Sequence, residues 1–275
     1  MIPAAFEYVR PSSVDEALAA LADPDAKAIA GGHSLVPMMK LRLARPSVLV
    51  DLAPLGLRGV TRDGDVLRIG ALTTYDDLVR SDEPVPDALR EAAASVGDVQ
   101  VRNAGTIGGA VAHGDPSSDL LAAVLALDTI IGLRSAAGTR EVAATEFVLG
   151  PFETALGQQE LLEEIVVPVH GPGDGSAYHS FEDDASGYPL AGAAVRVHAG
   201  GVSVGLTGAT PIPVRAASLE AALADGDLGE AAVLAAVEQV ELSAGADDPD
   251  FTRSLVTAAV RRAFASAHAR ARGVT

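Results

Sequence analysis

The chain has 275 residues, of which 48% are hydrophobic, and its 37 acidic against 20 basic side chains give a net charge of −17. That length supplies a buried core for one large or two modest domains, and the charge argues against nucleic acid or an anionic membrane surface as partner. Cysteine is absent, which excludes disulfides, thiolate metal sites, cysteine-ligated iron–sulfur clusters and cysteine nucleophiles within the chain.

No apolar run approaches the ~20 residues of a membrane helix. The N-terminus lacks the basic-then-apolar pattern of a secretory signal. With the missing cysteine, these features lead us to expect a cytoplasmic protein. In chain order, Ser13-Val14-Asp15-Glu16 reads as a capping box opening a helix through residue 21. Residues 27–30 read as a strand running into Ala30-Gly31-Gly32-His33-Ser34, and 48–52 as a second buried strand. Residues 60–61 and 66–69 flank Arg62-Asp63-Gly64-Asp65, a hairpin signal. Thr73 or Thr74 caps a helix through 79, and Pro86 opens another through 96. A second glycine segment follows, Thr106-Ile107-Gly108-Gly109-Ala110, with Asp115, Pro116 and Asp119 beyond it. Ser118 is expected to cap an apolar helix ending near 127. A further hairpin and a strand over 165–169 complete this part.

Gly171-Pro172-Gly173-Asp174-Gly175 is the best linker candidate. Beyond it the pattern predicts strands over 177–181, 191–198 and 202–207, the last two joined by Ala199-Gly200-Gly201. Helices are expected over 214–224, 228–240 and 251–270. Arg261, Arg262, Arg270 and Arg272 are expected at a helix C-terminus, where cations are favoured. The reading is an α+β domain to about residue 172, followed by a smaller domain with a three-stranded antiparallel meander and helices.

The two glycine segments carry the chemistry. Glycine reaches φ > 0 and lets backbone approach a ligand closely, so two facing loops would offer N–H donors to a diphosphate. A Rossmann site is rejected, because neither segment has the G-x-G-x-x-G spacing. In isolation the first segment reads better as a plain strand-to-helix turn. His33 has three readings: a hydrogen-bonding loop residue, a covalent flavin attachment point, or a metal ligand. The metal reading is poor, because no two of the six histidines have helical ligand spacing. Asp119 reads either as a helix-dipole partner or as an acceptor for ribose hydroxyls. No catalytic triad is evident. Tyr178 and Tyr188, just past the linker, are candidates to face a flat ring, or else ordinary packing tyrosines.

Six ordered stretches carry a resemblance: "FEYVRPSSVDEALAAL", "AIAGGHSLVPMMKLRLARPSVLVDL", "IGALTTYDDL", "VQVRNAGTIGGAVAHGDPSSDLLAAVLALD", "FVLGPFETAL" and "ELLEEIVVP". The chain resembles the FAD-binding medium subunit of molybdenum hydroxylases, of the aerobic carbon monoxide dehydrogenase and xanthine dehydrogenase type. The resemblance implies an α+β fold of the vanillyl-alcohol-oxidase (PCMH) type, with FAD-binding subdomains at about 1–55 and 56–172 and a smaller domain over 173–275. It implies that Ala28, Ile29, Ala30, Gly31, Gly32, His33, Ser34 and Leu35, with Thr106, Ile107, Gly108, Gly109 and Ala110, line the FAD diphosphate. It places Asp119 at the ribose and Tyr178 near the flavin ring, and adds Leu162 to the cofactor-binding set.

The FAD is expected to be non-covalent, with His33 a binding-loop residue, and no catalytic or metal-ligating residue is expected here. Substrate chemistry is assigned to a large molybdopterin subunit. Electrons pass from two [2Fe–2S] clusters of a small subunit through FAD to an external acceptor, within a dimer of heterotrimers. Alternatives are a self-contained FAD oxidoreductase of this fold, or a non-catalytic accessory protein with an altered flavin site. The departures are Ser180 where many members have lysine, Gly187 where they have Asp, and Ala110 where some have Asn or Ser.

Overall fold

The computed structural model describes residues 2–224, 230–243 and 248–273. Its first layer runs β1 (Glu7–Val9), α1 (Val14–Ala20), β2 (Ala26–Ile29), α2 (Leu35–Lys40) and β3 (Val48–Asp51). The three strands are parallel in the order β1-β3-β2, as crossover helices require. Ala17, Leu18, Leu21, Val50 and Leu52 fill its core, joined by Leu72 and Leu161 from the next layer. The expected capping box at α1 is half made. Ser13 Oγ accepts from the Glu16 N–H, but the Glu16 carboxylate accepts from Ser12 rather than from Ser13.

The middle of the chain runs β4 (Val60–Asp63), β5 (Val66–Gly70), α3 (Tyr75–Arg80), α4 (Asp87–Ser95), α5 (Val99–Ala104), α6 (Ile107–His113) and α7 (Asp119–Ala126). It continues with β6 (Ile130–Ser135), β7 (Gly138–Ala143), β8 (Val148–Gly150), β9 (Glu153–Thr154) and β10 (Leu161–Pro168). Its main sheet is antiparallel in the order β4-β5-β10-β6-β7. The predicted hairpin around Gly64 forms, with Val60 opposite Ile69. Thr74, not Thr73, caps α3 in a full capping box with Asp77. All eight residues of α7 are buried, so an apolar sequence with no polar face becomes a central helix. Ser118 stands at its cap position but makes no side-chain cap bond; its carbonyl instead accepts from Thr207 Oγ1.

The last part comprises β11 (Gly175–Glu182), β12 (Pro189–His198), β13 (Gly201–Thr207), β14 (Val214–Arg215), α8 (Ala217–Leu223), α9 (Glu230–Val237) and α10 (Pro249–Ala271). Residues 171–174 form a turn, and Gly175 already belongs to β11. The sheet has four antiparallel strands rather than the expected three. The expected helix over 214–224 begins only at Ala217. Val214 and Arg215 instead pair with Leu206 and Gly205, because Pro213 and a β-branched valine favour extended backbone. The predicted start of the 228–240 helix lies outside the described residues. Arg261 and Arg262 sit mid-way along α10; only Arg270 and Arg272 are at its C-terminus.

This sheet is packed on both faces. A Cβ on Gly175 would overlap the Ala267 carbonyl of α10, and one on Gly205 would overlap the Ala122 carbonyl of α7. Backbone approach this close demands glycine. Tyr178 and Ala194 are buried in the same core as α4 and α7, whereas Ala177, Ala193 and Val195 face Phe264 and Val260 of α10. The free edge of β11 is covered by α4. The Glu91 carboxylate accepts the Tyr178 N–H at 2.8 Å, and Ser176 Oγ accepts the Ala88 N–H at 3.1 Å. Arg270 closes the arrangement, donating to Glu91 and to the Ser176 carbonyl. A strand edge that would otherwise expose unpaired backbone groups is thereby satisfied.

Candidate cofactor site

The first glycine segment leaves the C-terminal end of β2, where Ala28 and Ile29 are held in register with Val50 and Asp51 of β3. Gly32 has φ +74°, a left-handed conformation that glycine adopts without a Cβ penalty. Its carbonyl accepts from the Val36 N–H, which turns the chain into α2. The backbone N–H groups of Gly31, Gly32, His33, Ser34 and Leu35 have no protein acceptor among the described residues. His33 and Ser34 are exposed, and the Ser34 hydroxyl has no protein partner there.

The second segment is built differently. Tyr75 N–H donates to the Gly105 carbonyl at 3.1 Å, Ile107 N–H to Thr73 at 3.0 Å, and Gly108 N–H to Ala71 at 2.9 Å. Thr106 Oγ1 caps α6 by accepting from Gly109 N–H, and the Thr106 carbonyl takes the Ala110 N–H. Every N–H from Ile107 to Ala110 therefore has a protein acceptor. The expectation that both segments present N–H donors is corrected: the donors lie on the first. Two of the four acceptors, the Thr73 and Ala71 carbonyls, lie far back in the chain, where no local pattern signals them.

The two segments meet. Gly31 packs so tightly on the Ala104 carbonyl that any Cβ would overlap it, and the Gly109 Cβ direction points toward the Ala30 methyl at 3.9 Å. The His33 ring contacts the Gln100 carbonyl through Nε2 at 3.3 Å, tying the loop to α5. That tether, Ala71, Ala104 and Gly105 were not among the sequence-predicted site residues. The result is a junction of small residues with five adjacent unsatisfied N–H groups on one side. Such a group of backbone dipoles suits an anion such as a diphosphate. The residues present therefore fit a diphosphate-bearing cofactor.

The remaining predicted residues are Leu162, Asp119, Tyr178 and Tyr188, and Leu162 and Tyr178 share a core with Ile107. Leu162 is buried on β10 in the central core. Asp119, 6% exposed at the start of α7, accepts from Tyr178 Oη at 2.6 Å and from Ser95 Oγ at 3.3 Å. The structure thus pairs with each other two residues that sequence assigned to ribose and to ring. Ser95 is a partner that no motif signalled. Burial pushes the Asp119 carboxyl up to about 6, opposed by the Tyr178 and Ser95 hydrogen bonds and reinforced by the charge of Glu182. Burial and the neighbouring Asp119 charge raise the Tyr178 phenol, so it stays a proton donor. Tyr188, the other ring candidate, is exposed.

Among the described residues no group of three or more His, Cys, Asp or Glu is placed to hold a metal ion. None of their helices is long and apolar enough to cross a membrane.

Residues 4–170 match the family model described as the FAD binding domain in molybdopterin dehydrogenase. The fold and the junction thus define an FAD-binding protein. Over 98% of its length the chain is 38% identical to the carbon monoxide dehydrogenase medium chain of Hydrogenophaga pseudoflava, covering 99% of that protein. It is 41% identical to the glyceraldehyde dehydrogenase medium chain of Sulfolobus acidocaldarius, over 72% of this chain and 71% of the relative. The solved carbon monoxide dehydrogenase from Hydrogenophaga pseudoflava lacking the Mo-pyranopterin moiety superposes with a TM-score of 0.91. That match has 39% identity and covers 98% of this chain and 99% of the other. The chain belongs to the family of FAD-binding medium subunits of carbon monoxide dehydrogenase-type molybdenum hydroxylases, which are oxidoreductase complexes.

Proposed function

We propose that this chain is the electron-transfer subunit of such a complex. It holds FAD non-covalently, takes electrons that originate at [2Fe–2S] clusters of a small partner subunit, and delivers them to an external acceptor. A large molybdopterin subunit carries out the substrate chemistry, and the assembly is a dimer of heterotrimers. We read the fold as the vanillyl-alcohol-oxidase type, with subdomains at about 1–55 and 56–172 and a smaller domain over 173–275. FAD, when bound, supplies reversible electron storage that protein side chains lack.

The observation that carries this reading is the run of five N–H groups over 31–35 with no protein acceptor among the described residues, on a loop packed against Ala104 and Gly105 beside the second glycine segment. These groups hold the diphosphate, with hydroxyls from Ser34 and Thr106 beside them. Residues 28–30 and 106–110 supply small walls, and His33 braces the loop through Gln100. Tyr178 lies toward the flavin. Tyr178 and Ser95 both donate to Asp119 Oδ1, which leaves Oδ2 as the acceptor for a ribose hydroxyl. The lack of cysteine agrees with clusters that reside in a partner. The relatives' names cover different substrates, carbon monoxide and glyceraldehyde, in keeping with substrate choice in another chain.

Purified chain is expected to absorb in the visible as a flavoprotein and to release its chromophore into the supernatant on acid precipitation. Chromophore retained in the pellet would mean covalent attachment. Colourless protein that ignores added FAD would overturn the reading.

A further inference from the structure

We propose that Glu91 and Arg270 are positioning residues for the flavin side of the site. Together they hold Tyr178 where it meets Asp119, so that the C-terminal helix α10 sets the surroundings of the bound flavin. The inference rests on the reading above that Tyr178 lies toward the flavin.

Tyr178 is fixed at three points. Its N–H donates to Glu91 Oε2 at 2.8 Å. Its hydroxyl donates to Asp119 Oδ1 at 2.6 Å. Its ring ends against Gly192 of β12, where a Cβ would overlap the hydroxyl oxygen. The residue is only 7% exposed, so its ring follows its backbone. The backbone hold is of a particular kind. A strand N–H ordinarily donates to the carbonyl of a neighbouring strand. Here it donates to a charged side chain, a stronger acceptor.

Glu91 is itself held. Its other oxygen, Oε1, accepts from Arg270 Nη2 at 2.5 Å. Arg270 Nη1 donates to the Ser176 carbonyl at 2.7 Å, and its Nε stands 3.5 Å from Asp87 Oδ2. One guanidinium thus joins α10, α4 and β11. Asp87, Glu91 and Ser95 follow at intervals of four along α4 and so share one helix face. Ser95 Oγ reaches Asp119 Oδ1 at 3.3 Å. A single face of α4 therefore holds both members of the Tyr178–Asp119 pair, Tyr178 through Glu91 and Asp119 through Ser95. Locking a site residue from behind in this way is how a binding geometry is kept.

A second Arg–Glu pair supplies the contrast. Glu220 accepts the Val204 N–H at 2.8 Å and also accepts from Arg215. Val204 is an aliphatic side chain in the core beneath α10. There the arrangement satisfies a strand N–H and ends in apolar packing. At Tyr178 the same arrangement ends on a hydrogen-bonded, ionisable pair.

The test uses the full chain purified with its FAD, as wild type and as Glu91→Ala, Glu91→Gln, Arg270→Met, Glu220→Ala and Tyr178→Leu. Visible circular dichroism of the bound flavin is recorded together with Tm. The flavin ring is planar and draws that signal from the side chains around it. Tyr178→Leu, or Tyr178→Met if the first does not keep its FAD, defines the change that follows loss of the phenol. Glu91→Ala and Arg270→Met are expected to shift the flavin signal in that same direction. Glu91→Gln keeps a side-chain oxygen for the Tyr178 N–H, so it is expected to lower Tm and keep the wild-type flavin signal. Glu220→Ala is expected to lower Tm and leave the flavin signal alone. A wild-type signal in Glu91→Ala or Arg270→Met, whichever keeps its FAD, overturns the proposal while the placement of Tyr178 stands. So does a signal that follows Tm alike in every variant, Glu220→Ala included. An unchanged signal on loss of the phenol overturns the placement of Tyr178 at the flavin, and the proposal with it.

Discussion

The two glycine segments have similar composition and opposite economies. In the first, Gly32 supplies a left-handed turn and the N–H groups over 31–35 stay unsatisfied. In the second, every N–H from Ile107 to Ala110 is consumed by Ala71, Thr73 and Thr106, and Gly108 exists to let α6 touch Ala71. One segment is a donor cluster and the other is its buttress. Two glycines in a row therefore indicate close approach, but not what approaches. Gly32 serves a left-handed turn beside the Ile29 and Val36 side chains; Gly108 lets the backbone of α6 touch Ala71.

The sharpest way to break this contrast is Gly108→Val. Its Cβ would stand 2.5 Å from the Ala71 methyl and 2.6 Å from the Ala71 carbonyl oxygen, contacts no rotamer relieves. Overpacking against backbone predicts a loss of about 3 kcal/mol or more, seen as a lower Tm with and without FAD alike. If Tm without FAD holds and only FAD binding disappears, the second segment is a binding loop and the contrast fails.

Asp119 asks the same question of a side chain: structural partner or ligand acceptor. Its folded-state value, about 6, lies above the unfolded carboxylate range. Between those values the folded form binds more protons than the unfolded form, so its contribution is full below about pH 4 and is lost as pH rises through about 6. A shift of that size corresponds to about 3 kcal/mol. Urea unfolding of FAD-free protein at pH 4 and pH 7 should show this loss in wild type, and Asp119→Asn should remove it. Identical pH dependence in the two proteins would mean that Asp119 is solvated and free for a ligand.

Gly32→Ala tests the first segment. At φ +74° an alanine costs about 1–2 kcal/mol. The new methyl would also sit 3.2 Å from side-chain carbons of Ile29 and Val36. Because this turn aims the N–H cluster, FAD affinity measured by fluorescence quenching should fall by more than the Tm of FAD-free protein implies. Proportional losses would make Gly32 a plain structural turn.

What sequence could show divides along the same line. Local signals came through. The Asp63-Gly64 and Gly200-Gly201 turns form hairpins because Gly64 and Gly201 need positive φ, and Thr74 caps α3 three residues before Asp77. The six motif stretches identified the family. Features set by distant partners did not come through. The acceptors of the Ile107 and Gly108 N–H groups, the Asp119–Tyr178 hydrogen bond, and the capture of Val214 by Leu206 are all tertiary choices that override local pattern. The sequence predicts neither α5 nor α6, because each is only one to two turns long, too short for periodicity to register.

The smallest expected effect is the most selective. Ser34 is exposed, and its hydroxyl has no protein partner among the described residues. Ser34→Ala therefore removes nothing the fold uses, and the Tm of FAD-free protein should stay unchanged. If the hydroxyl donates to the diphosphate beside the N–H groups over 31–35, FAD affinity should fall by about 0.5–1.5 kcal/mol, the usual worth of one hydrogen bond. Calorimetric titration of FAD into the variant reads that difference directly. Thr106→Ser is the matching control on the other segment. It keeps the cap on Gly109 and a hydroxyl proton with no protein acceptor among the described residues, so both affinity and Tm should hold. Loss of affinity at Thr106 without loss at Ser34 would reverse the assignment, moving the ligand's polar contacts from the first segment to the second.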